Sequence, residues 1–163
     1  MRTLAIALGA AISLSACATV PDHSAHTYPE ARSYGASKDA SAEVDAALER
    51  AQTSGKRVLL VMGANWCHDS RALAGWLGTP RFQQLVDAEY ELVFVNVGMP
   101  QTGDGHNLDI AKRFGLERLP GTPNVLVLTP SGSLVNADTA TSWRNAASRS
   151  EDEIYDELAR LAS

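Results

Sequence analysis

The chain has 163 residues, room for one domain and short appendages, and its 45% hydrophobic content is enough to build a core. Lys and Arg number 14 against 19 Asp and Glu, a formal net charge of -5, and no basic cluster or stripe occurs, which excludes a nucleic-acid footprint. No GxxxxGK[ST] loop is present to cradle a nucleotide phosphate, and no cofactor is expected.

The N-terminus reads as a processing segment. Arg2 supplies one positive charge, and residues 4–14 are apolar or small throughout. That is a charged head and an apolar run of signal-peptide length, too short for a comfortable membrane span. The run ends in Leu14-Ser15-Ala16-Cys17, which resembles the lipobox of bacterial lipoproteins. In that motif the small residues admit the peptidase, and the cysteine thiol receives a diacylglyceryl group before becoming the new N-terminus. Each buried methylene adds about 0.8 kcal/mol, so several acyl chains anchor stably. The plainer reading is an ordinary cleaved signal with an incidental cysteine. The lipobox reading makes residues 1–16 a signal peptide and Cys17 the lipidation site. Ala18 and Thr19 lack the aspartate of an inner-membrane retention signal, which favours the outer membrane, facing the periplasm, if the host has one. Residues 17–40, rich in Ala and Ser, read as a flexible lipidated tether in which His23 and His26 are solvated.

From residue 41 the pattern changes to that of a folded domain, continuing to 163. Val44, Leu48 and Ala51 recur at helical spacing, and Gly55 stops the helix. Arg57-Val58-Leu59-Leu60-Val61-Met62 predicts a strand buried on both faces. Residues 67–77 return to helical spacing, with Leu73, Trp76 and Leu77 on one face, and Gly78-Thr79-Pro80 breaks it. Residues 81–88 predict a short helix, residues 92–97 a second buried strand, and residues 99–106 a polar loop. Asn107 is placed to cap a helix through Phe114. Residues 124–128 predict a third strand, Pro130-Ser131-Gly132 a turn, and residues 133–136 a fourth strand. Ser150 and Glu153 form a capping box ahead of Ile154, Leu158 and Leu161. Helices alternating with buried strands predict an α/β sandwich around a central sheet.

Between the first strand and its helix lies Ala64-Asn65-Trp66-Cys67-His68-Asp69-Ser70-Arg71. A cysteine there meets the unpaired N–H groups and positive dipole end of a helix, which favour the nucleophilic thiolate. A buried, inert cysteine is the bland alternative. The segment resembles the thioredoxin superfamily, whose motif is Trp-Cys-x-x-Cys at the same junction. The resemblance spans residues 41–162 and includes Thr122-Pro123, which matches that family's cis-proline position. It implies a thioredoxin-like fold, with a central mixed sheet flanked by helices on both faces. It also implies that Cys67 is the nucleophile, that Trp66 shields it, and that the backbone at Thr122 and Pro123 pairs with an extended client.

Two departures limit the chemistry. Ser70 stands where the family has its resolving cysteine, and Val61 where it has a buried acid. A serine cannot attack a mixed disulfide, although its hydroxyl is positioned to hydrogen-bond the Cys67 thiolate. His68 either assists Cys67 or merely caps the helix. No CxxC or HExxH spacing accompanies them, so no metal is expected. Two functions remain open. One is monothiol exchange with client protein thiols or disulfides, or small thiols, with the membrane reached through Cys17. The other is a non-catalytic peptide-binding module on the same fold.

Overall fold

The computed structural model describes residues 28–35 and 39–163. The predicted signal peptide, the Cys17 lipidation site, His23 and His26 lie outside the described residues. Helix α1, Ala40–Ser54, opens on Asp39, whose side chain accepts the Ala42 amide. It ends at Gly55, which adopts the left-handed backbone that a side chain disfavours. Strand β1, Arg57–Gly63, then leads into α2, His68–Leu77, with Cys67 as the N-cap residue. Helix α3, Pro80–Glu89, has Pro80 at its first turn, where a missing N–H costs nothing. It returns the chain to β2, Tyr90–Asn96.

The 99–106 loop is more ordered than its polarity suggests. Gly98–Met99 (β3) and Asp104–Gly105 (β4) form a two-residue antiparallel ladder around a tight turn at Pro100–Thr102. Helix α4, Leu108–Arg113, follows. Asn107 does precede it, but in a left-handed conformation with no side-chain cap; its amide donates to the Asn96 carbonyl at 2.9 Å instead. Strand β5 is Asn124–Leu128, and α5, Glu151–Leu161, begins with the predicted Ser150/Glu153 capping box.

The sheet order is β2-β1-β5, with β2 parallel and β5 antiparallel to β1. The central β1 is buried along nearly its whole length, as an unbroken apolar run requires. Val58, Leu60 and Met62 join Val44, Leu48, Ile110 and Leu126 on one face. Leu59 and Val61 join Leu73, Phe82, Trp143, Ile154 and Leu158 on the other. The mixed sheet with helices on both faces is therefore as expected.

Three expectations are corrected. Strand β2 is only alternately buried, because it is paired on one side alone. Residues 133–136 form a single bridge, Leu128↔Leu134, rather than a strand. The Asn136 side chain substitutes for a ladder there, accepting from the Val127 amide and donating to the Val125 carbonyl, each at 2.9 Å. Finally, the folded body extends ahead of residue 41. Helix α1 starts at Ala40, and residues 28–35 lie on α2 as a strap rather than as tether, with Tyr34 only 1% exposed. Among the described residues, no helix is long and apolar enough to cross a membrane.

Candidate functional site

The register of the sheet brings three segments together at the carboxyl end of β1. Gly63 pairs with Asn96, and the Val97 amide extends that pairing by donating to the Gly63 carbonyl at 2.9 Å. On the other side Met62 pairs with Asn124, so Thr122 and Pro123 arrive beside the turn that carries Cys67. The Thr122–Pro123 peptide is cis, as the resemblance implied.

Cys67 has extended backbone angles, and its carbonyl accepts the Arg71 amide at 3.1 Å, the first bond of α2. Its S–H donates to the Thr122 carbonyl at 3.4 Å. The sulfur is thus beside the cis-proline loop, but it is buried, as in the bland alternative read from the sequence: Cys67 is 6% exposed. The S–H is turned inward onto a carbonyl, and Thr122 and Pro123 are themselves buried.

Ser70 does not make the bond expected of it. Its hydroxyl is fully buried and accepts the Ala64 amide at 3.4 Å rather than the thiol. It therefore fixes the turn leading into Cys67. His68 is likewise engaged elsewhere. Its side chain is 64% exposed and its Nε2 lies 3.3 Å from Asp69 Oδ2. Trp66 is 49% exposed, and its indole N–H donates to the Gly98 carbonyl at 3.0 Å, which pins it to the β3 edge. Gly98 is required there: its φ is +61°, and a Cβ would come within 2.6 Å of the Asp104 carbonyl oxygen.

Several residues that organise the site were not singled out from sequence. Asp69 is buried and accepts the Ala147 amide at 2.8 Å, tying the start of α2 to the turn Ala146–Ser148. Arg71 donates to the carbonyls of Asn65 and Trp66 at 3.2 and 3.0 Å, and pairs with Glu30 of the strap at 3.0 Å. Asn65 makes two hydrogen bonds with the backbone of Tyr34: it donates to the Tyr34 carbonyl at 2.8 Å and accepts its amide at 3.2 Å. The Tyr34 hydroxyl donates to the Ser70 carbonyl at 3.2 Å, and burial above all pushes its ionisation far up. A Cβ on Gly63 would meet the Tyr34 ring at 2.6 Å and Ser70 Oγ at 2.7 Å, so glycine is the residue that admits both. The available signal was two tyrosines, Tyr28 and Tyr34, in a segment otherwise fit only for a tether.

Among the described residues, the arrangement offers one thiol at a helix start, a carbonyl and cis-proline beside it, and no second thiol. Among the described residues, no group of three or more His, Cys, Asp or Glu side chains is disposed to hold a metal ion.

Comparison with known proteins agrees with this geometry. A family model described as thioredoxin-like matches residues 39–130. The crystal structure of a disulphide isomerase from Xylella fastidiosa Temecula1 superposes with a TM-score of 0.71 at 32% identity, covering 80% of this chain and 96% of that one. No curated protein matches the chain. By its matched residues, its sheet and its cis-proline beside Cys67, the chain belongs to the thioredoxin-like family.

Proposed function

We propose that this protein performs thiol–disulfide exchange through the single thiol of Cys67, on client proteins or small thiols, from a lipid anchor in the bacterial envelope. The observation that carries the reading is the 3.4 Å contact between Cys67 Sγ and the carbonyl that precedes cis-Pro123. Kinship with a disulphide isomerase supports the same chemistry.

The step is a displacement. The Cys67 thiolate bonds to one sulfur of a client disulfide, and the other sulfur leaves as a thiolate with the electron pair. With Ser70 in place of a resolving thiol, the mixed disulfide persists until another thiol attacks it. When that thiol is the client's own, a new client disulfide forms and Cys67 is regenerated with no net oxidation. Such a site favours isomerisation, or exchange with a small thiol, over net dithiol reduction. The Leu14-Ser15-Ala16-Cys17 motif supports envelope anchoring, with the outer membrane facing the periplasm as the favoured site.

A non-catalytic binding module is the second reading. It draws on the 6% exposure of Cys67 and the structural use of Ser70. One experiment separates them: acid-quenched cell envelopes, with mixed disulfides trapped and identified in the wild type and in Cys67→Ala. Exchange predicts covalent adducts that vanish in the variant. Associations that survive Cys67→Ala without any adduct would establish the binding module. In the same cells, Cys17→Ser should release the protein from the membrane fraction, and retention would overturn the anchor.

A further inference from the structure

We infer that Arg118 and Arg144, flanking the cis-proline loop, form a cationic rim that selects disulfides bearing carboxylates beside the reacting sulfur. This rests on the exchange reading above and adds its substrate class.

The charge pattern is what sets these residues apart. The protein is net acidic at -5, and Arg50, Arg71, Arg81, Arg113 and Arg149 are each paired with a carboxylate. Arg118 and Arg144 are exposed and, among the described residues, have no hydrogen bond or ion pair. Arg32 and Arg160 also lack one, but they belong to the strap and the end of α5. The other two bracket the loop whose Thr122 carbonyl touches Cys67 Sγ.

Each arginine opens onto its own cleft. Arg144 lies across Gly121, where a Cβ would come within 2.9 Å of its Cδ. It shares a cleft of about 430 Å³ with His68, Asn145 and Ser148. Asp69 also lines that cleft, but its oxygens are engaged by the Ala147 amide and by His68. Arg118, four residues ahead of Thr122, lines a separate cleft of about 580 Å³ with Gln101, Pro120 and Thr141. Glu117, next along the chain, makes no ion pair with it. A client carboxylate reaching either cleft would thus meet a guanidinium that has no partner among the described residues. The planar guanidinium suits a carboxylate bidentately, and its field speeds encounter with an anion.

The test uses two disulfide probes on purified full-length protein carrying Cys17→Ser, so that Cys67 alone reports. Dithiobis(nitrobenzoate) is dianionic and dithiodipyridine neutral. In each reaction Cys67 Sγ bonds to one probe sulfur, and the other leaves as the aromatic thiol or thiolate, whose absorbance is read. The anionic-to-neutral rate ratio, normalised to that of free cysteine, should exceed one. It should fall about tenfold in Arg118→Glu/Arg144→Glu, and less in the milder double Gln variant. Peptide disulfides differing only by Asp or Lys beside the cysteine separate the sources. An Asp preference marks an acidic protein segment, and a preference confined to the small probe marks a small acidic disulfide. A ratio indifferent to both variants and to salt overturns the rim. If neither probe reacts with folded protein but both react after unfolding, it is the exchange reading that fails.

Discussion

Ser70 Oγ accepts the Ala64 amide, and Gly63 leaves just enough room for that oxygen and the Tyr34 ring. The serine is therefore a structural element of the turn as well as the absence of a resolving thiol. Residues 67 and 70 sit one helical turn apart, close enough for their side chains to meet. Ser70→Cys should accordingly form a disulfide with Cys67 on oxidation, with a mass loss of two hydrogens by intact-protein mass spectrometry. Two thiols that both remain alkylatable after oxidation would mean that the turn holds position 70 away from the sulfur. Position 66 carries a similar lesson. Its indole N–H serves the β3 edge through the Gly98 carbonyl, while the residue remains 49% exposed.

The strap formed by residues 28–35 acts on the site as an element. Its backbone passes so near α2 that a Cβ on Gly75 would clash with the Pro29 carbonyl oxygen. The Ala31 amide donates to the Arg71 carbonyl at 3.0 Å, Glu30 pairs with the Arg71 side chain, and Asn65 clasps Tyr34. The grip therefore falls on residues 63–75, the stretch that holds Cys67. Asn65→Ala removes both bonds to the Tyr34 backbone and leaves those groups part-buried and unpaired, a cost of about 1–3 kcal/mol. Urea unfolding should report that loss, and Cys67 in the variant should be alkylated faster than in the wild type under native conditions. An unchanged alkylation rate at lowered stability would confine the strap to a structural role.

At the scale of the whole molecule, two buried phenols connect stability to alkaline pH. Burial raises the ionisation of both Tyr34 and Tyr90, whose hydroxyls donate to the carbonyls of Ser70 and Leu158. The folded protein holds these protons after the unfolded chain has begun to lose them at about pH 10. The stability they lend is thus complete below that pH and declines as pH rises above it, by up to about 1.4 kcal/mol per pH unit for each tyrosine. Denaturation curves at pH values either side of 10 should show this decline, and Tyr34→Phe should remove about half of its slope. An equal slope in wild type and variant would mean that Tyr34 is wetted before it ionises.

Local pattern was enough to read the main helices, the three strands of the central sheet and the two segments that carry the family resemblance. An unbroken apolar run such as Leu59-Leu60-Val61 can only be satisfied by cover on two faces, and β1 has it. Gly55 and the Ser150/Glu153 box stop and start helices through bonds a few residues long. Trp66-Cys67 and Thr122-Pro123 carried the family resemblance, and with it the cis bond. What the sequence could not specify depends on residues far apart in the chain. The inward turn of the Cys67 S–H comes from a carbonyl 55 positions away, and the diversion of Ser70 and the docking of Tyr34 come from packing on Gly63. Periodicity records which face of an element is apolar. Only the folded sheet decides which distant polar group stands opposite each donor, because that partner is chosen by strand register and not by neighbours in the chain.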